Sequence, residues 1–277
     1  MSRRNDVLTL LAVVTGLLLA VPEAGAQPAA PPNTLTFQWA PGLEVHNQAY
    51  REPSIGVKED GWFGGGTLDA RAVYNGWQLR GEGLLAYGRM DYSGSGTVNG
   101  IDDLEVELRV LGAYAIRLDA QGDEITPYAG YGYRVLEDYL GGKTTSTGAR
   151  GYDRQSQYHY IPMGLEARLG LAPGWSVKPR AEYDYFIRGY QDSYLSQAIA
   201  GLQDVRNTQT SGYGVRGSLT LQTNFGPTPV EFGPFVRYWK IQQSDTQPVI
   251  FRGVTVAGGF EPANHTTEIG FGFKVWF

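Results

Sequence analysis

Apolar and polar residues alternate along most of the chain from residue 35 onward. In 104–118 every second residue is apolar or glycine, and the positions between them begin with Glu105 and Glu107. The same alternation recurs in 175–188 and in 268–277. Because successive side chains of an extended strand point to opposite faces, this period of two predicts β-strands with one apolar face and one polar, often charged, face.

The pattern predicts ten strands whose connections alternate between short and long. Short connections include the two-residue turn signal Asn75-Gly76. If every long loop lies at one end of the sheet, both termini lie at the other, so the strand number is even; eight and twelve are the alternatives to ten. The predicted strands are 35–51, 62–74, 77–90, 103–118, 124–137, 155–171, 175–189, 210–224, 229–242 and 266–277. The long loops are 52–61, 91–102, 138–154, 190–209 and 243–265.

Two of the long loops carry patterns of their own. Residues 193–205 place Leu195, Ile199 and Leu202 on one face, which predicts a short amphipathic helix. Loop 243–265 is unusually apolar, which predicts either a paired hairpin or an adhesive surface.

Composition narrows the class of protein. The 277 residues are 42% hydrophobic and include no cysteine, which excludes a disordered chain and a disulfide scaffold. The mean hydropathy of −0.28 excludes a bundle of membrane helices. It is compatible with a membrane β-barrel, in which only every second side chain of a strand faces lipid. The net charge of −5 argues against a nucleic-acid partner.

The first 26 residues have the features of a secretory signal peptide. Arg3 and Arg4 precede an apolar run, and Ala24 and Ala26 form a small-x-small cleavage site. The run is too short to span a bilayer. We therefore predict a signal peptide at 1–26, a flexible leader at 27–34 and a barrel at 35–277.

The last strand, TTEIGFGFKVWF, alternates aromatic residues up to a terminal phenylalanine. In this respect the chain resembles small bacterial outer-membrane β-barrel proteins. The resemblance implies a closed antiparallel transmembrane β-barrel with short periplasmic turns and long outer loops, in the outer membrane of a Gram-negative cell. It also implies three kinds of partner: outer-membrane lipid, periplasmic chaperones and the barrel-assembly machinery. The residues that match the assembly signal of this family are Phe271, Phe273, Val275 and Phe277.

In such a barrel the charged faces of the strands point into the lumen. Acidic and basic residues are nearly balanced there, and an unpaired buried charge is costly, so we predict a largely charge-filled lumen of ion pairs. A narrow porin lined by separated charges is the alternative. The predicted lumen charges are Arg80, Glu82, Glu105, Glu107, Arg109, Arg134, Glu166, Arg168, Lys178, Arg180, Glu182, Asp184, Arg216, Arg237, Glu268 and Lys274.

The sequence offers few candidates for catalytic chemistry. Ten strands is the count of the omptin proteases, a family that uses an Asp pair and an Asp–His pair at the outer rim. The only adjacent acidic pair that could mimic the first is Asp102-Asp103, and the chain's histidines, His46, His159 and His265, have no aspartate at a matching spacing. We therefore predict no catalytic residue, no cofactor and no metal site, and we expect that the chain is not an enzyme.

The functional expectation is a barrel that acts through its surface loops, with a possible surface ligand, or as a structural component of the membrane. A narrow channel for small solutes or ions is the main alternative. A membrane-embedded hydrolase is the weaker one.

Overall fold

The computed structural model describes residues 34–119 and 122–277. The predicted signal peptide with Ala24 and Ala26, and the leader up to residue 33, lie outside the described residues.

The described chain is built from antiparallel β-strands. The strands are β1 Thr36–Glu52, β2 Val57–Tyr74, β3 Trp77–Gly94, β4 Gly96–Tyr114, β5 Ile116–Arg117, β6 Glu124–Asp138, β7 Arg154–Ala172, β8 Trp175–Ser193, β9 Val205–Gln209, β10 Gly212–Phe225, β11 Thr228–Ile241, β12 Gln247–Phe251, β13 Val254–Gly259 and β14 Asn264–Val275.

Ten of these strands close into a ring. Neighbours along the ring are β1, β2, β3, β4, β6, β7, β8, β10, β11 and β14, and β14 pairs back onto β1 from Gly42↔Lys274 to Arg51↔His265. The predicted ten-stranded, closed antiparallel barrel is therefore confirmed. Closure matters because an open sheet edge would leave backbone N–H and C=O groups unpaired in hydrocarbon.

The outer surface of the barrel is an apolar belt between two aromatic girdles. Phe37 is 68% exposed and Trp77 65% exposed, as expected for side chains that face lipid. Trp77 and Tyr87 are ten residues apart on β3, which is about 33 Å of strand, enough to cross a bilayer when tilted. We define the membrane-spanning part of each strand as the part between the girdles. The periplasmic girdle is Tyr74, Trp77, Tyr114 and Trp175, and the outer girdle is Trp62, Tyr87, Tyr131, Tyr185, Tyr213 and Tyr238.

Several strands extend beyond the outer girdle as paired ribbons. β3 reaches Gly94 and β4 starts at Gly96, so most of the predicted loop 91–102 is strand. The loop 243–265 pairs as the hairpin of β12 and β13, which turns at Arg252 and Gly253, both with positive φ.

The amphipathic helix predicted at 193–205 is wrong. Only Leu195–Gln197 forms a 3-10 turn. The backbone of this segment bonds to the loop beside it instead: Gln203 N donates to Ile250 O, and Gly201 O accepts from Arg252 N. Among the described residues, no helix is long and apolar enough to cross a membrane.

Gly132 illustrates how tightly the lumen is filled. A Cβ at this inward position would overlap the ring of Tyr160, whose hydroxyl donates to Glu107 at 2.6 Å and accepts from Arg216. Gly64 on β2, in contrast, has open space around it, with no atom within 4 Å of the position that a Cβ would take.

We expect Gly132→Ala to destabilise the barrel by about 1–3 kcal/mol, because the locked Tyr160 ring cannot give way. Gly64→Ala is the matched control and should fold like wild type. The measurement is the folded fraction on refolding into detergent, read from the heat-dependent mobility of barrels on gels. Equal folded fractions for both variants at every denaturant concentration would contradict the packing described here.

Candidate functional site

Separate ion pairs occupy the periplasmic half of the lumen. Three of the four pairs line a cavity of about 190 Å³, which is rich in charged side chains and is therefore better suited to water than to an apolar ligand; the Arg168–Glu124 pair lies outside it. The pairs at this level are Arg80–Glu166 at 3.3 Å, Lys178–Glu231 at 2.7 Å, Lys274–Asp69, and Arg168–Glu124 at 3.7 Å.

Two arginines and two glutamates form the centre of the network. Glu82 lies 2.9 Å from both Arg109 and Arg180. Glu182 lies 2.5 Å from Arg109 and 3.0 Å from Arg180, and it also accepts from the Tyr128 hydroxyl. Because Glu82 is on β3 and Arg180 on β8, their ion pair crosses the lumen rather than joining neighbouring strands.

Two further ion pairs cross the lumen above this centre. Arg216 on β10 donates to Glu107 on β4 at 2.7 Å and also contacts Asp184. Arg134 on β6 donates to Glu268 on β14. The strands of each pair are far apart around the ring. We call Glu82–Arg180, Glu107–Arg216 and Arg134–Glu268 the crossbars.

His46 lies beside the third crossbar and is fully buried. Its nitrogens are 3.2 Å from Glu44 and 3.5 Å from Glu105. His46, Glu105 and Glu268 present donor atoms close enough to hold a metal ion. The same carboxylates, however, already pair with guanidinium groups: Arg134 lies 3.2 Å from Glu105 and contacts Glu268, which also lies 3.1 Å from Arg237. We therefore assign no metal to this group.

Packed apolar and aromatic side chains complete the filling of the lumen. One cluster surrounds Trp239, with Tyr158 and Tyr160 against it and Phe186 packed on Tyr158. A second surrounds Phe63, with Met90 and Ile101, and a third, smaller one contains Leu111, Ala113 and Tyr128. Together with the crossbars, these clusters occupy the lumen between the periplasmic cavity and the outer end.

The structure places fifteen of the sixteen predicted lumen charges in buried or half-buried ion pairs with one another or with further lumen residues. The remaining one, Arg168, has a side chain that is 41% exposed. Sequence reasoning missed Glu44, Asp69 and Glu231, which are equally part of the network. All three occupy inward-facing positions, which strand parity could have identified. They were missed because the alternation of apolar and polar residues in β1, β2 and β11 is less regular than elsewhere.

Beyond the outer girdle the lumen holds five carboxylates and one arginine. We call Glu52, Glu59, Asp103, Asp138 and Glu261, with Arg154, the outer vestibule. Arg154 lies 3.1 Å from Glu52 and also pairs with Glu261. Among the described residues, Glu59, Asp103 and Asp138 have no ion pair, and each has one buried oxygen without a hydrogen-bond partner. The vestibule therefore holds more buried carboxyl groups than cations.

This excess raises the proton affinity of the vestibule acids. Burial, followed by the nearby Asp138 carboxylate, raises the pKa of Glu59 to about 8. Burial also raises the pKa of Asp138 to about 6, although Arg154 opposes the rise. Glu59 lies three residues beyond Trp62, outside the membrane-spanning part of β2.

Three outer loops are joined above the vestibule. We call 139–153, 194–211 and 242–263 the loop platform. Gln197 donates to Asp153, which joins the first loop to the second. The second and third loops are joined by the backbone bonds at Gln203 and Arg252 and by Asn207, whose side chain donates to the backbone of the third loop. Glu261, through Arg154, fastens the platform to the barrel.

The platform exposes apolar side chains on its hairpin. Val254 is 65% exposed and Val256 57% exposed, and both lie on β13, outside the apolar belt of the barrel. Ile199 and Phe260 are exposed on the adjoining segments.

The structure does not bring together the residues considered for catalysis in the sequence. Asp102 faces outward, where it contacts Tyr87 and Arg89, whereas Asp103 is buried in the vestibule. His159 contacts Tyr131 on the outside of the barrel. The described residues contain no ion pair between an aspartate and a histidine.

No protein-family model matches the sequence, and no curated protein matches it. Its fold is similar to that of the outer membrane protease OmpT from Escherichia coli, with a TM-score of 0.53, 9% identity and coverage of 87% of this chain and 96% of that one. The translocator domain of autotransporter NalP from Neisseria meningitidis also matches, with a TM-score of 0.42, 10% identity and coverage of 96% and 97%. The second match is too distant to carry an argument.

The chain thus has the fold of a bacterial outer-membrane β-barrel, and its closed ring and apolar belt support an outer-membrane location. The likeness to OmpT also overturns the expectation that the chain is not an enzyme, because that barrel is a protease. At 9% identity the likeness shows the fold alone, so no residue role is transferred.

The pKa of Glu59 leads to a pH-dependent prediction. The folded protein holds the Glu59 proton more tightly than the unfolded chain does, because the pKa of Glu59 is raised on folding. Protonated Glu59 therefore contributes to the free energy of unfolding at low pH, and this contribution is lost as the pH rises from about 4.5 to about 8. We expect Glu59→Gln to raise Tm at pH 8 by at least about 2 °C, the shift that roughly 1 kcal/mol produces. At pH 4 the difference should vanish. Asp60→Asn, which removes the exposed partner of Arg51, should leave Tm unchanged or slightly lower at both pH values. A Glu59→Gln variant that is less stable than wild type at pH 8 would show that the carboxylate is paired.

Proposed function

We propose that the chain is an outer-membrane protein that binds a partner through the loop platform, with the barrel as a closed support in the membrane. The observation that carries this proposal is the union of three outer loops into one hydrogen-bonded surface above a lumen of paired charges. Loops held by a rigid scaffold are the usual place for binding residues.

The exposed hairpin is the part of the platform best suited to contact a partner. Its strand β13 exposes apolar side chains without a charged residue among them. An apolar surface of this kind, bordered by polar loops, is typical of a binding surface.

The test replaces the two valines with threonine, which keeps the branched shape but adds a hydroxyl group to each. Cells that display the wild-type chain should adhere to one another or to protein-coated surfaces more than cells without it. We expect Val254→Thr with Val256→Thr to weaken that adhesion roughly fivefold, about 1 kcal/mol. Thr255→Val, on the other face of the same strand, is the control. Adhesion that is unchanged in the double variant, or that never exceeds the level of cells without the chain, would refute the proposal.

The outer vestibule supports a second candidate function, hydrolysis by a pair of carboxyl groups. Asp103 and Asp138 are directly opposite each other on β4 and β6. When two carboxyl groups share a buried site, one remains protonated while the other ionises, which supplies a general acid beside a general base. The fold is compatible with an enzyme, since OmpT has it.

We expect Asp103→Asn or Asp138→Asn to lower any peptide- or ester-cleaving activity of the refolded protein by at least about 100-fold, the usual contribution of acid–base groups. Asp102→Asn is the matched control, because Asp102 is adjacent in sequence but points outward. The measurement is cleavage of mixed peptide and fatty-acid ester substrates. Equal activity in all three variants would eliminate the vestibule as a catalytic site.

A further inference from the structure

Four neighbouring strands place a basic side chain at the same level on the outside of the barrel. Lys240 on β11 is opposite His265 on β14, His265 is opposite Arg51 on β1, and Arg51 is opposite Lys58 on β2. We call these four residues the cationic row. All four point outward, because the residues that flank them along their strands, such as Trp239, Glu52, Glu59 and Thr266, are buried in the lumen.

The row lies where the barrel surface leaves the apolar belt. Lys240 is two residues beyond Tyr238 of the outer girdle, and Lys58 is four residues beyond Trp62. At about 3.3 Å per residue along a tilted strand, these positions fall within the headgroup region that covers the hydrocarbon.

The two lysines of the row have no acidic partner in the described part of the chain, and its arginine has one. Among the described residues, Lys58 and Lys240 have no ion pair, and both are exposed. Arg51 is held against the wall by the carbonyl oxygens of Tyr50 and Glu59, at 2.8 and 3.0 Å, and by Asp60 at 2.6 Å. Asp60 balances the charge of Arg51, and the charges of Lys58 and Lys240 remain, so the row has a net positive charge.

Two exposed arginines on other walls of the outer end are paired, whereas Arg188 on β8 is exposed and has no ion pair among the described residues. Arg89 lies 3.3 Å from Asp102 on one wall, and Arg206 lies 2.8 Å from Asp192 on another. The whole chain has a net charge of −5, so the positive row does not follow from an overall excess of basic residues.

We infer that the wall formed by β11, β14, β1 and β2 binds a phosphate-bearing lipid headgroup of the outer leaflet through the cationic row. Two lysines and an arginine at headgroup depth match two or more phosphate groups on one lipid, while the apolar belt below them contacts its acyl chains. The ammonium groups of Lys58 and Lys240 are free to donate to phosphate oxygens, and Arg51 is pre-positioned between them. This inference is independent of the proposed function.

The test compares binding of a fluorescent bis-phosphorylated lipid A to refolded protein in mixed micelles. Each basic residue near an anionic lipid surface contributes about a fivefold gain in affinity, so Lys58→Gln with Lys240→Gln should weaken binding about 30-fold. Arg89→Gln with Arg206→Gln removes the same charge from other walls and should change binding less than threefold. Heat-dependent gel mobility establishes that both variants are folded.

Two further arms identify what is recognised. In the first arm, dephosphorylated lipid A should bind the wild type about as weakly as bis-phosphorylated lipid A binds the Lys58→Gln/Lys240→Gln variant. In the second arm, 10 mM inorganic phosphate should not displace the phosphorylated lipid from the wild type. Equal binding of both lipids, equal losses in the two double variants, or displacement by inorganic phosphate would each overturn the inference.

Discussion

An ion pair that crosses the lumen satisfies two charges that folding has removed from water, and it also fastens two opposite strands of the ring. Glu107–Arg216 and Arg134–Glu268 do both, and Glu82–Arg180 does so one level below. A single buried charge without its partner costs several kcal/mol, so each crossbar is stable only in the closed barrel that brings both partners together. The crossbars therefore depend on ring closure, and the glycine at position 132 leaves room for the Tyr160 ring, which bonds to both members of one crossbar.

Charge balance changes at the outer end, and the functional proposals follow from that change. Inside the membrane-spanning part almost every charge is paired, whereas the outer vestibule has more carboxylates than cations. Arg154 is therefore the link between the vestibule and the loop platform above it. The features that remain available for chemistry or binding, namely the vestibule, the platform and the cationic row, all lie beyond the outer girdle.

The period of two in the sequence was sufficient to predict the ten strands and the alternation of short and long connections, because strand parity decides which side chains meet lipid. It was less informative where both faces are mixed, which is why Glu44 on β1 and Asp69 on β2 were missed. The helix expected at 193–205 failed because its backbone pairs with a loop about fifty residues away in sequence. The vestibule was also missed, since its acids come from four strands and a loop and meet only after ring closure.

Single-channel conductance of the refolded chain 27–277 in a planar bilayer distinguishes a sealed lumen from an open one. If the crossbars and the aromatic clusters fill the lumen, protein that is folded by gel mobility should produce no defined current steps at neutral pH and moderate salt. Reproducible steps whose size or ion selectivity changes when Arg109 or Arg180 is neutralised would show a water-filled pore, and would contradict a lumen sealed by paired charges.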